Sequence, residues 1–264
     1  AGASAGPNRT DSSPPGNNRP SSGRPTGKEE PRKEPIRPKP TESAAQRLAR
    51  ELSERHNVRT FGFELPGIDI DALTEIVAAV DDLLPRYPVA ALSEIGIAEF
   101  AGDGPVHAEW DVVQECSRLV IASHAISGGA AQLRRIFDAG VGALPYGFTD
   151  RPVYAAVGRA FATILDAAGG YTASRRAHRV LLEAYLPLRE GETGSARSTV
   201  SGFRAWRARL GDSSFSAGVF DPTAAVAAAF VDVVVNTANA TPPARVLHNL
   251  LVNTAAGGST EPRV

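Results

Sequence analysis

The chain is 264 residues long with a formal net charge of −1, and its single cysteine, Cys116, excludes an internal disulfide and with it a disulfide-stapled mini-protein. The charge is unevenly placed: residues 1–50 carry ten Lys and Arg against five Asp and Glu, so the remaining residues are net acidic. The basic part has no aromatic residue, which argues against the cation-plus-stacking surface that nucleic-acid grooves use.

No segment approaches the roughly 18 apolar residues of a membrane span, since the longest greasy stretch, 224–235, is short and interrupted by Asp232. The chain contains no methionine, an initiator included, and the expectation is a processed or excised piece of a longer polypeptide. Compartment and oligomeric state are left open by the sequence.

The first 40 residues hold nine prolines, five glycines and one large aliphatic side chain, Ile36. So little apolar surface does not offset the entropy of ordering, and residues 1–50 are expected to be a disordered, Pro-rich linker that tethers whatever precedes it. The folded part is expected over 51–264, as a sheet-containing lobe (51–150) followed by a helical lobe (151–264).

Within the first lobe, the β-branched and aromatic run Val58 to Phe63 predicts a strand. Asp69 then caps a helix whose apolar positions Leu73, Ile76, Val77, Val80, Leu83 and Leu84 recur at helical spacing up to Pro85. Three strands are predicted next, at 94–100, 106–110 and 118–123, with Gly102-Asp103-Gly104 as a hairpin signal between the first two. A helix is expected over 130–139, and helices over about 151–168, 173–186, 199–210, 221–236 and 242–253. The polar loop 189–199 is the expected mobile segment. The fold class is therefore α+β, with a small mixed sheet followed by helices, and the cleft between the two lobes is the default ligand site.

The residues offer little for catalysis. His56, His107, His124, His178 and His248 show no short ligand spacing, so no metal or other cofactor is expected among them. Ser123 and His124 are adjacent, which in a strand turns them to opposite faces, and Gly-x-Ser-x-Gly does not occur. Cys116, at the start of an apolar strand, reads as a small core residue. Gly169-Gly170 ends the helix before it. Asp166 and Asp232 each place one acid in a greasy helix, and salt bridges to Arg175, Arg176 or Arg245 are the expected partners.

The segment Val157-Gly158-Arg159-Ala160-Phe161-Ala162-Thr163-Ile164-Leu165-Asp166, followed by Gly169-Gly170, resembles the active-site helix of lethal-factor-like zincin metallopeptidases. In that family the pattern runs H-E-F-G-H, an aliphatic pair, Asp and a glycine-containing turn. A second stretch, Phe215 and then Asp221-Pro222-Thr223-Ala224 to Phe230, resembles the family's downstream helix, where a tyrosine precedes an E-A-x-A-E-A-F segment carrying the third zinc ligand.

Histidines at i and i+4 share one helical face and grip one zinc, while the glutamate between them activates the metal-bound water. Mapped onto that pattern, Arg159 and Thr163 stand at the histidine positions and Ala160 at the glutamate. Ala224 and Ala228 stand at the downstream glutamates, and Phe215 at the tyrosine. Phe161, Ile164, Leu165, Asp166, Pro222 and Phe230 keep the family's identity.

The resemblance thus implies a pseudoenzyme: a zincin-like scaffold without zinc ligands, resembling a bacterial toxin domain, with export implied by resemblance alone. Its cleft is expected to bind a peptide or protein segment over Arg159 and Thr163, favouring an anion or an acidic peptide. The alternative is a metal-independent hydrolase using Ser, Thr or Asp residues in the same cleft, recognisable by a Ser or Cys bonded to a histidine that a carboxylate holds. A third possibility is that the acidic body neutralises a preceding domain.

Overall fold

In the computed structural model the described residues are 42–100, 104–129, 131–132, 135, 151–189 and 195–258. The first of them already form a helix, α1 (Ala44–His56). The Ser43 side chain accepts from the Gln46 backbone N–H at 3.1 Å, and the Ser43 N–H donates to Gln46 Oε1 at 2.9 Å. This capping box satisfies two free helix donors at once. The expected linker boundary at residue 50 is therefore corrected: residues 44–50 are helical, and the compact unit runs from Glu42 onward.

Strand β1 (Arg59–Phe61) leads to α2 (Ile70–Arg86), where Asp69 Oδ1 accepts from the N–H groups of Asp71 and Ala72. Then come β2 (Leu92–Ala98), β3 (Val106–Asp111) and β4 (Cys116–Ala122). The sheet order is β1-β2-β4-β3, with β1 and β4 parallel to β2 and β3 antiparallel to β4. This corrects the expected hairpin between the second and third strands: β2 and β3 are not neighbours, and the hairpin is β3 to β4. The strand order puts β4 between β2 and β3, and Gly102 and Asp103 lie outside the described residues. Ser123 opens a single helical turn, α3 (Ser123–Ile126), rather than ending a strand, so Ser123 and His124 do not alternate across a sheet. Cys116 is only partly buried at the start of β4, not a core residue.

The helix expected at 130–139 falls largely outside the described residues, as do residues 190–194 of the loop expected at 189–199; the end of that loop is corrected, because Ser195 caps a helix that begins at Ala196. Helices follow as α4 (Pro152–Ala168), α5 (Thr172–Tyr185), α6 (Ala196–Ala208), α7 (Pro222–Asn236) and α8 (Pro242–Gly258). A two-strand ribbon, β5 (Phe215–Ser216) and β6 (Val219–Phe220), lies just before α7. The class is α+β with a small mixed sheet. No described helix is long and apolar enough to cross a membrane.

One core runs through sheet and helices. Leu73, Ile76, Ile95, Ile97 and Leu119 belong to the same buried cluster as Val157, Phe161, Ile164, Phe230 and Leu247. Helix α4 is central, packing against α2, β3, α7 and α8. Its approach to α7 depends on Gly158, where an added Cβ would stand 3.2 Å from Val231 Cγ2.

The two buried acids are not held by arginines, contrary to expectation. Asp166 Oδ1 accepts from the N–H groups of Ala173 and Ser174 at 3.1 and 3.3 Å, so it caps α5 from the preceding helix. Asp232 accepts from Asn236 Nδ2 and from the N–H and hydroxyl of Thr241 at the start of α8. Free amide donors at helix starts meet a carboxylate's needs without a second buried charge. Arg175 and Arg245 instead bond backbone carbonyls, those of Gly170 and Tyr171 and that of Ala238.

Candidate functional site

One face of α4 is left open beside the sheet edge. Ala156, Arg159, Ala160 and Thr163 recur at helical spacing and form the floor of a groove of about 440 Å³. Residues Gly104 to Ala108, leading into and along β3, form one wall. Asp221, Thr223, Ala224 and Ala227, on and before the first turns of α7, form the other. Alanines on both helices keep the groove open, because longer side chains at 156, 160, 224 and 227 would fill it.

Four of the six expected site residues therefore meet in one concavity: Arg159, Ala160, Thr163 and Ala224. Two do not, and this is a correction. Ala228, one turn beyond Ala224, is buried at 2 % exposure and does not line the groove. Phe215 lies in β5, where it pairs with Phe220 and borders a separate depression on the other side of the strand entering α7. Side chains alternate there: Phe220 and Pro222 border the second depression, whereas Asp221 and Thr223 border the groove.

Arg159 dominates the groove electrostatically. Burial lowers its pKa, and the charge of Asp221 is the one influence opposing that shift. Among the described residues the guanidinium has neither a hydrogen-bond acceptor nor an ion-pair partner. Asp221 is occupied otherwise, its Oδ1 accepting the Ala224 N–H at 3.0 Å as the cap of α7. The Thr163 hydroxyl donates to the Arg159 carbonyl at 3.2 Å, back along its own helix. His107 reaches the groove from β3, where its Nε2 is 3.0 Å from Glu109 Oε1.

These residues do not fit the zinc that the resemblance would imply. At the mapped ligand positions stand a guanidinium, a hydroxyl and a methyl group, and a fixed cation repels a metal cation. Among the described residues, no three His, Cys, Asp or Glu side chains gather anywhere.

Three of the histidines hold structural contacts, His107 pairs with Glu109, and His124 is exposed. His56 donates to Asp81 Oδ1 at 2.6 Å beside Arg55, which ties α1 to α2. His248 is hydrogen bonded to the Tyr87 hydroxyl at 2.9 Å and stacks on Phe230. His178 meets Phe203 and Phe220 edge-on or tilted. Among the described residues no serine or cysteine side chain is hydrogen bonded to a histidine ring; the Ser127 hydroxyl donates to the backbone carbonyl of His124.

The positions that keep the family pattern have packing or capping work. Phe161, Ile164, Leu165 and Phe230 are at most 1 % exposed, Asp166 caps α5, and Pro222 is the first residue of α7. Sequence reasoning missed the second depression, although Phe203, Arg207, Phe215 and Phe220 could have been read as an arginine among aromatics. No family model matches the chain, and neither a curated protein nor a solved structure matches it.

Proposed function

We propose that this chain is a catalytically inactive, zincin-like binding domain that holds a peptide or protein segment in the groove over α4, with an acidic side chain of that segment against Arg159. One observation carries the reading: a partly buried guanidinium on the floor of an open groove, without an ion-pair partner among the described residues. A desolvated cation is unfavourable until an anion joins it, and a carboxylate presents the two-oxygen geometry that a guanidinium matches. The edge position of β3 along one wall favours an extended segment, whose main chain can bond to the strand.

The zincin assignment rests on the two-helix resemblance and on the division of labour within it. Positions that packing needs keep the family identity, and positions that zinc chemistry needs have lost it. No hydrolytic role is assigned to the groove, because its floor holds no activated nucleophile.

The test is titration of a fluorescent Glu-rich peptide against the protein and its Arg159→Gln variant. Saturable binding that falls about tenfold in the variant, the scale of one lost charge-assisted hydrogen bond, supports the proposal. Equal binding by both proteins overturns the site. Stoichiometric, tightly held zinc, or proteolysis abolished by a chelator, overturns the inactive-domain reading separately.

A further inference from the structure

The second depression, about 710 Å³, lies between α5, α6 and the β5–β6 ribbon and is independent of the Arg159 groove. At its centre is Arg207. Its guanidinium carbon lies 4.6 Å from the Phe220 ring centroid, 5.3 Å from Phe203 and 5.7 Å from Phe215. Three rings surround the guanidinium at cation–π distance and restrict its position before any ligand arrives.

The surroundings are one-sided in charge. Arg204 lies three residues earlier on the same face of α6, and His178 approaches from α5. Among the described residues no carboxylate lines the depression. Arg207 Nε is out of solvent and has no hydrogen-bond partner among the described residues. Burial and the neighbouring charge of Arg204 both lower the Arg207 pKa. A purely structural cation–π staple would need neither Arg204 beside it nor an open cavity in front of it. An unsatisfied guanidinium held among rings, with a second cation at hand, is a half-built anion site.

We propose that this depression binds an aryl phosphate, the phosphate meeting Arg207 and Arg204 with His178 at its side, and the ring lying against Phe215 and Phe220. Two guanidiniums and an imidazole offer more donors than one carboxylate can accept, whereas a phosphate presents three oxygens and a charge near −2. The aromatic wall selects a flat apolar body behind that anion. The inference is independent of the reading of the Arg159 groove.

The probe is phenyl phosphate, titrated by calorimetry and by amide NMR into the whole chain. One saturable site is expected, with amide shifts centred on α5, α6 and β5–β6. Affinity should fall about tenfold in Arg207→Gln and severalfold in Arg204→Gln, as charge-assisted hydrogen bonds are lost, and stay unchanged in Arg159→Gln. Arg204 is exposed, so its variant decides the matter should Arg207→Gln fail to fold.

Absence of saturable binding, or equal affinity in the Arg204→Gln protein, overturns the proposal. Inorganic phosphate binding as tightly as phenyl phosphate overturns the role of the aromatic wall. A short phosphotyrosine peptide binding more tightly than phenyl phosphate assigns the ligand to a peptide, and equal affinity assigns it to a small molecule; either result supports the aryl phosphate chemistry.

Discussion

Arg159 shows how one side chain sets stability against binding. A guanidinium taken partly out of water without a partner destabilises the fold that holds it, and an apolar residue of similar length removes that penalty. Arg159→Met is therefore expected to raise the unfolding free energy by about 1 kcal/mol in denaturant titration, while abolishing the response to a Glu-rich peptide. A loss of stability in that variant would mean that Arg159 has a structural partner. His248 illustrates a second residue-scale effect. Burial holds its pKa below the usual 6.5, so the folded protein keeps the ring neutral. As pH falls through about 6.5 the unfolded chain binds a proton that the folded chain does not, so the stabilisation present above that pH is lost progressively below it. His248→Gln should therefore show a smaller drop in stability between neutral and mildly acidic pH than the unaltered protein. Parallel profiles would exclude His248 as a source of acid sensitivity.

At the scale of elements, the groove is made by how closely α4 and α7 approach, and that approach is made possible by Gly158. An extra methyl group there meets Val231 at a distance that ordinary contacts avoid, so α4 would have to shift by a few tenths of an ångström. Gly158→Val is expected to lower stability by about 1–3 kcal/mol, the range for overpacking. Val231→Ala in the same chain should return part of that loss, with a coupling of about 0.5 kcal/mol or more in the double-mutant cycle. Additive effects would show that the helices are not in contact at this point. Much at this scale was legible in the sequence. Helices α2, α4, α5, α7 and α8 follow apolar periodicity, with end signals such as Asp69 and Gly169. Strand pairing was not legible, because the choice between β2–β3 and β4–β3 depends on the core beneath the sheet rather than on a turn signal. Helix α1 was hidden by the polar composition around it, although its Ser43 to Gln46 capping box was there to be read. In the site, the alanines and Arg159 were legible because a helix repeats every three or four residues. Phe215 and Ala228 were misplaced because the pairing in the ribbon, and how far along α7 the neighbouring elements cover it, are decided by packing partners far away in sequence.

For the whole molecule, the question is whether the sheet and the helices fold as two lobes or as one body. The sequence suggests a division near residue 150, yet the buried cluster ignores it: β3 packs on α4, and Ile97 and Leu119 of the sheet join Phe161 and Phe230 of the helices in one core. Neither half can leave without exposing the apolar face of the other, and burial of that face is the main favourable contribution to folding. The two tryptophans give a direct reading, since Trp110 sits in β3 and Trp206 in α6, both partly buried against the common core. In the single-tryptophan variants Trp206→Phe and Trp110→Phe, fluorescence follows the sheet edge and α6 respectively. Equilibrium unfolding of each variant, followed by fluorescence and by far-ultraviolet circular dichroism, is expected to give coincident curves within that variant. A tryptophan signal from α6 that ends before the helical content is lost would show that α6 opens first and carries the Arg207 depression with it. A Trp110 signal that ends early would separate β3, and with it one wall of the Arg159 groove, from the helices that form the rest of the groove.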